Sequence, residues 1–147
     1  MSNNNRMKKR INLLIANASI CHMSNTKWRK TFINLRHPSI KVYTVNWKFI
    51  DEDRVFKGGI PNDNNLLNDK FGDIHPYPYE EYKLIEWLEI PKSFPNPKSD
   101  RKRPLPNINH DLVNIKNFIE SQNYQLPIQM VDSGLRIIGY TWDNSSM

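Results

Sequence analysis

Only one cysteine, Cys21, and two alanines, Ala16 and Ala18, occur in the 147 residues. A single thiol excludes an intrachain disulfide and a thiolate metal cluster, and fits a reducing, cytoplasmic compartment. Cys21 reads as an incidental thiol, because reactivity needs a nearby base and an electropositive niche. The scarcity of alanine beside 19 asparagines disfavours a bundle of long helices, since Ala is the best helix former and Asn prefers caps and turns. No stretch approaches the ~20 apolar residues of a membrane span, so no membrane partner is expected. Around Lys57-Gly58-Gly59 the spacing of a phosphate-binding loop is missing, and so is any Gly-x-Ser-x-Gly elbow. The histidines at 22, 37, 75 and 110 stand in no ligand spacing, and neither metal nor cofactor is expected.

Acid is missing from the first third. Residues 1–50 carry ten Lys or Arg and no Asp or Glu, whereas residues 51–90 carry four bases and ten acids, within a net charge of +6. This asymmetry suits either a polyanion site or two parts that neutralise each other on packing. The stretch "MKKRINLLIANASIC" (Met7 to Cys21) imitates a secretory signal, but Asn12 and Asn17 break its apolar core, and Ile20 stands where a small residue would precede a lipid-modified cysteine. Residues 1–22 are therefore expected as a basic extension, loosely docked or disordered. Residues 23–147 make one domain, the chain being too short for two ordinary ones.

Sixteen aromatic residues, four of them Trp, supply large core anchors. In "SNTKWRKTFINLRHP", Trp28, Phe32 and Leu35 recur at helical spacing after a Ser24, Asn25 or Thr26 cap, and Pro38 ends the run. "KVYTVNWKF" changes to a period of two, with Tyr43, Val45, Trp47 and Phe49 on the inner face. Arg54 to Lys57 returns as a short partner strand. "IPNDNNLLNDKFGDIHP" reads as a loop. Tyr82 to Ile90 has no helical face and reads as a strand, with Tyr82, Leu84, Leu88 and Ile90 around Glu86 on one side and Lys83, Ile85, Trp87 and Glu89 on the other. Glu86 would need a base such as Arg54 or Arg136. A Pro-rich connector follows, then a helix capped by Asn109 with Leu112, Ile115 and Ile119 inward, and a hairpin turning at Asp132-Ser133-Gly134. The sum is an α+β fold, a largely antiparallel sheet with two amphipathic helices packed on it.

Surface chemistry gives three functional readings. In "DIHPYPYEEYKLIEWLEIP", Pro76 and Pro78 would hold Tyr77 and Tyr79 outward, with Glu80, Glu81, Glu89 and Trp87 around them. That favours a protein-binding surface for a basic partner. A second reading is a small enzyme with an acid-base or metal site near Asp73 and His75, although hydrolytic metal sites need three ligands. The third is nucleic-acid binding through Lys27, Arg29, Lys30 and Trp28, or through Arg101, Lys102 and Arg103. Trp28, however, lies on the apolar face of its helix.

The segments "MSNTKWRKTF" (23–32), "FGDI" (71–74), "YKLIEWLEIP" (82–91) and "GLRIIGY" (134–140) resemble a group of small bacterial proteins defined as a domain of unknown function. The resemblance covers residues 23–147. It implies a single-domain bacterial protein similar in size to immunity proteins of toxin systems, and no activity, cofactor or catalytic residue comes with it. The leading expectation is thus a non-enzymatic protein-binding domain, with an immunity-type protein that blocks a basic toxin as one form of it.

Overall fold

The computed structural model describes residues 2–74, 77–122 and 125–142. The stretch expected as a separate extension holds α1 (Ser2–Ala16) and β1 (Ala18–Cys21). Helix α2 (Asn25–Leu35) follows; Ser24 caps it by accepting the Lys27 N–H at 3.1 Å. Its inner stripe is Trp28, Phe32 and Leu35, all buried. Strands β2 (Val45–Phe49) and β3 (Val55–Gly58) form the first hairpin, with Trp47 opposite Phe56.

The segment read as a loop contains a 3₁₀ turn at Asp63–Asn65 and strand β4 (Lys70–Ile74), which pairs with β5 (Tyr77–Glu81) in a separate hairpin. Asn, Asp and Gly dominate that stretch and conceal the strand, in which Phe71 is buried. A second 3₁₀ turn, Tyr82–Leu84, leads into β6 (Ile85–Pro91). Beyond it, β7 (Ser93–Phe94) and β8 (Ile108–Asn109) pair and close the Pro-rich connector into a loop. Helix α3 (Leu112–Glu120) is capped by Asp111 and not by Asn109; the Asp111 carboxylate accepts the Asn114 N–H at 3.1 Å. Leu112, Ile115 and Ile119 are buried. Strands β9 (Ile128–Val131) and β10 (Gly134–Ile138) form the last hairpin, and β11 (Tyr140–Trp142) leaves it to pair with β1.

The central sheet has the order β3-β2-β6-β10-β9, and every neighbouring pair is antiparallel. One face carries Val45, Trp47, Phe49, Leu88, Ile90, Leu135 and Ile137, all buried against the helices. At its centre the Phe32 ring lies 5.4 Å from Trp47 and 5.7 Å from Phe71, centroid to centroid. Truncating such a ring to Ala costs roughly 3–5 kcal/mol. The α+β class and antiparallel sheet agree with the pattern of the sequence.

Two inner-face assignments differ. In β6 the register slips, so that Trp87 faces Lys48 while Ile85 faces Phe49. Glu86 is the extra residue of a β-bulge, which turns Ile85 into the core and leaves Glu86 half-buried. The partner of Glu86 is Lys48, at 3.3 Å, in place of Arg54 or Arg136. Tyr43 also departs from the inner face: it precedes β2 and is 57% exposed.

Candidate binding groove

Side chains alternate across a strand, so the face opposite the helices is fixed by the same registers. Lys57, Asn46, Glu89, Arg136 and Gln129 are successive partners and cross all five strands in one row. Glu89 is the middle of that row and is only 4% exposed. Its Oε1 accepts from Arg136 Nε at 2.9 Å and from Ser133 Oγ at 2.8 Å, and its Oε2 accepts from Asn46 Nδ2 at 3.2 Å. Burial alone would raise the Glu89 pKa, but the Arg136, Ser133 and Asn46 hydrogen bonds and the Arg136 charge outweigh it and hold the group below its ordinary value. The carboxylate is thus ionised at neutral pH and engaged by donors on both oxygens. It ties β2, β6 and the β9–β10 turn together.

Beside the Asn46 and Lys57 end of this row lies a groove of about 560 Å³. Its walls are Tyr43, Phe94, Pro95, Pro97 and Ile108, and its floor includes Thr44 and Asn46. The Pro-rich connector, closed by the β7–β8 pair, forms the outer wall. A mostly apolar concavity with a few polar groups is what a bound side chain requires.

His110 fastens the groove from beneath. The Tyr43 backbone N–H donates to its Nε2 at 2.9 Å, so the ring proton resides on Nδ1, which donates to the Pro91 carbonyl at 2.7 Å. The ring stacks under Tyr43 at 5.7 Å and meets Phe94 at 4.9 Å. Burial lowers the His110 pKa, partly opposed by the hydrogen bond to Pro91. The imidazole is a neutral bracket with both nitrogens engaged.

Of the residues expected at a binding surface, Glu81, Trp87 and Glu89 have described side chains. Glu89 is corrected from a rim carboxylate to the buried centre of the polar row. Trp87 lies on the same sheet face, half-buried, with the Arg136 guanidinium 4.0 Å from its ring centroid. Glu81 pairs with Lys83 at 3.3 Å. Tyr77, Tyr79 and Glu80 lie in β5 by their backbone, and their side chains lie outside the described residues, as does that of Asp73. His75 lies wholly outside them. Among the described residues no group of three His, Cys, Asp or Glu gathers to hold a metal.

The nucleic-acid set divides. Trp28 is 2% exposed and belongs to the core, so it cannot stack on a base. Arg29 donates to the Asn68 carbonyl and to Thr26 Oγ1, and Lys27 and Lys30 share its helix. Arg101, Lys102 and Arg103 are exposed on the connector that walls the groove. Sequence reasoning missed Tyr43, Phe94 and His110. The signal was present in "SFPNP", where Pro95 follows Phe94 as Pro78 follows Tyr77 in "HPYPY".

No curated protein and no solved structure matches the chain. No helix among the described residues is long and apolar enough to cross a membrane. A family model does match, over residues 12–144, and so takes in part of the stretch that the resemblance had left outside. The chain therefore belongs to the family of unknown function DUF6678.

Proposed function

We propose that the protein is a non-enzymatic binding domain that holds an extended segment of a partner protein in the groove between Tyr43 and Phe94. The observation that carries this reading is the construction of the groove: apolar walls over Thr44 and Asn46, with Glu89 and His110 behind the lining, where Glu89 is held by Asn46 and Arg136 and His110 by the Tyr43 backbone. Groups so engaged position walls rather than transfer protons. A protein of this kind acts by occupancy, as an immunity-type protein occupies its toxin. A cytoplasmic setting belongs to the same proposal, since the exposed thiol of Cys21 suits a reducing compartment.

The test is peptide selection on the full chain from a random display library, followed by amide chemical-shift mapping of the selected peptide. Shifts are expected at Tyr43, Phe94 and Ile108, and not at Val113, which is 70% exposed on α3. A map centred on the β4–β5 hairpin would replace the groove with the acidic ribbon.

A further inference from the structure

A second cavity, of about 400 Å³, shares Tyr43 with the groove. Its lining includes Arg36, His37, Lys41, Gly59 and Ile60, and neither cavity has a carboxylate among its lining residues. Lys57 adds a fourth basic side chain from the groove itself. The donors are shaped for oxygen ligands. Arg36 is anchored through Nη1, which donates to the Ile60 carbonyl at 3.3 Å, and its guanidinium keeps further N–H groups. His37 Nδ1 accepts the Ser39 N–H at 3.0 Å, which leaves Nε2 as a donor. The His37 ring rests on Phe118 at 4.8 Å. Among the described residues Lys41 and Lys57 have no ion-pair partner.

Part of this charge answers the C-terminal end of α2, which Arg36 caps. A helix end presents only about half a negative charge, however, and two permanent cations plus an imidazole exceed it. The excess continues along the connector, where Lys92, Lys98, Arg101, Lys102 and Arg103 face the single Asp100 between residues 92 and 103. The Asp100 carboxylate already accepts the Arg103 N–H.

Resting on the binding reading above, we infer that the occupant is an acidic peptide segment: one apolar side chain enters the groove, and a neighbouring Asp or Glu passes over Tyr43 into the basic cavity. This reverses the charge expected of the partner from the acidic ribbon. A single-stranded nucleic acid would offer the same charge, but it needs open ring faces on which to stack. The exposed ring of the track, Tyr43, already has His110 stacked 5.7 Å away and Phe94 at 6.0 Å.

The experiment uses the full chain and fluorescence anisotropy with three probes: a peptide with a central Leu-Trp flanked by Asp and Glu, the same peptide with Lys in place of the acids, and a short oligothymidylate. The acidic peptide should bind, the basic one should not, and added salt should weaken the complex. Lys41→Glu with Lys57→Glu should weaken it at least about tenfold, because like charges then face each other across the interface. Tyr43→Ala, at an exposed position, should weaken it as well, and each variant's melting curve verifies its fold. Loss of affinity in Tyr43→Ala with none in the charge reversal, or equal binding of both peptides, would overturn the acidic partner and leave the groove standing. An unaffected Tyr43→Ala would overturn the groove itself. Failure of the acidic peptide to bind, or tighter binding of oligothymidylate, would overturn the inference in favour of another ligand.

Discussion

His110 Nε2 accepts the backbone N–H of Tyr43 at 2.9 Å, across 67 residues of sequence. An imidazole thereby does at the approach to β2 what a neighbouring strand does further along it. Because that bond requires the neutral ring, the groove is linked to pH.

Acid should destabilise the protein in two stages. The His110 pKa is depressed below 6.5, so the unfolded chain binds a proton that the folded one resists. The corresponding stability is complete above pH 6.5 and is lost as pH falls through the folded-state value. Glu89, depressed below 4.5, follows the same sign lower down: its contribution is complete above 4.5 and is lost as pH falls through its own folded value. Melting temperature against pH should therefore decline first below 6.5 and again below 4.5. His110→Gln should abolish the first decline and keep the second; a variant curve parallel to the wild type would dissociate His110 from the acid response.

Glu89→Gln should cost about 1–3 kcal/mol, since the amide offers one acceptor oxygen to three donors and brings an N–H₂ toward Arg136. Ser133→Ala should cost less, about 1 kcal/mol or below, because Ser133 is exposed and water can replace it. Urea midpoints decide the order. Equal costs would mean that the row is not centred on Glu89.

Two glycines should behave oppositely. At Gly134, which faces Pro91 across the β6–β10 pair, an added Cβ would run into the Ile90 carbonyl oxygen, so Gly134→Ala should destabilise by about 1–3 kcal/mol. Gly59 has no atom within 4 Å of the same position, and Gly59→Ala should change stability by no more than about 0.5 kcal/mol. Equilibrium unfolding of the two variants provides the comparison.

Removing residues 1–16 should leave a cooperative transition, whereas removing residues 1–22 should lower its midpoint further. The second deletion takes β1 from β11 and strips the His22 backbone N–H from the Gly139 carbonyl, a bond of 2.9 Å. Identical midpoints for the two truncated chains would show that the β1–β11 pair contributes nothing.

Where a pattern is local, the sequence displays it. Trp28, Phe32 and Leu35 announce α2 because one helix face must be apolar whatever it meets. The bulge at Glu86 is different: it depends on how Lys48 and Phe49 pair, and one extra residue exchanges the two faces of β6 without changing its composition. Strand β1 is four residues long and finds its partner at the far end of the chain. The groove is assembled from residues near 43, 57, 94 and 108, none of which is adjacent to another set in sequence. Its local trace is an aromatic residue, Phe94, at the start of a proline-rich run.

The place of β6 at the middle of the sheet has a kinetic consequence. Its two neighbours reach it from opposite directions along the chain: Asn46 meets Glu89 across 43 residues, and Arg136 meets it across 47. Each pairing must close a long loop before any contact repays the lost entropy, and separations of this kind slow folding toward the millisecond-to-second range. The carboxylate of Glu89 collects its donors only when both loops have closed. Until then it remains a hydrated charge on an unpaired strand, which discourages the half-built sheet from joining another copy edge to edge.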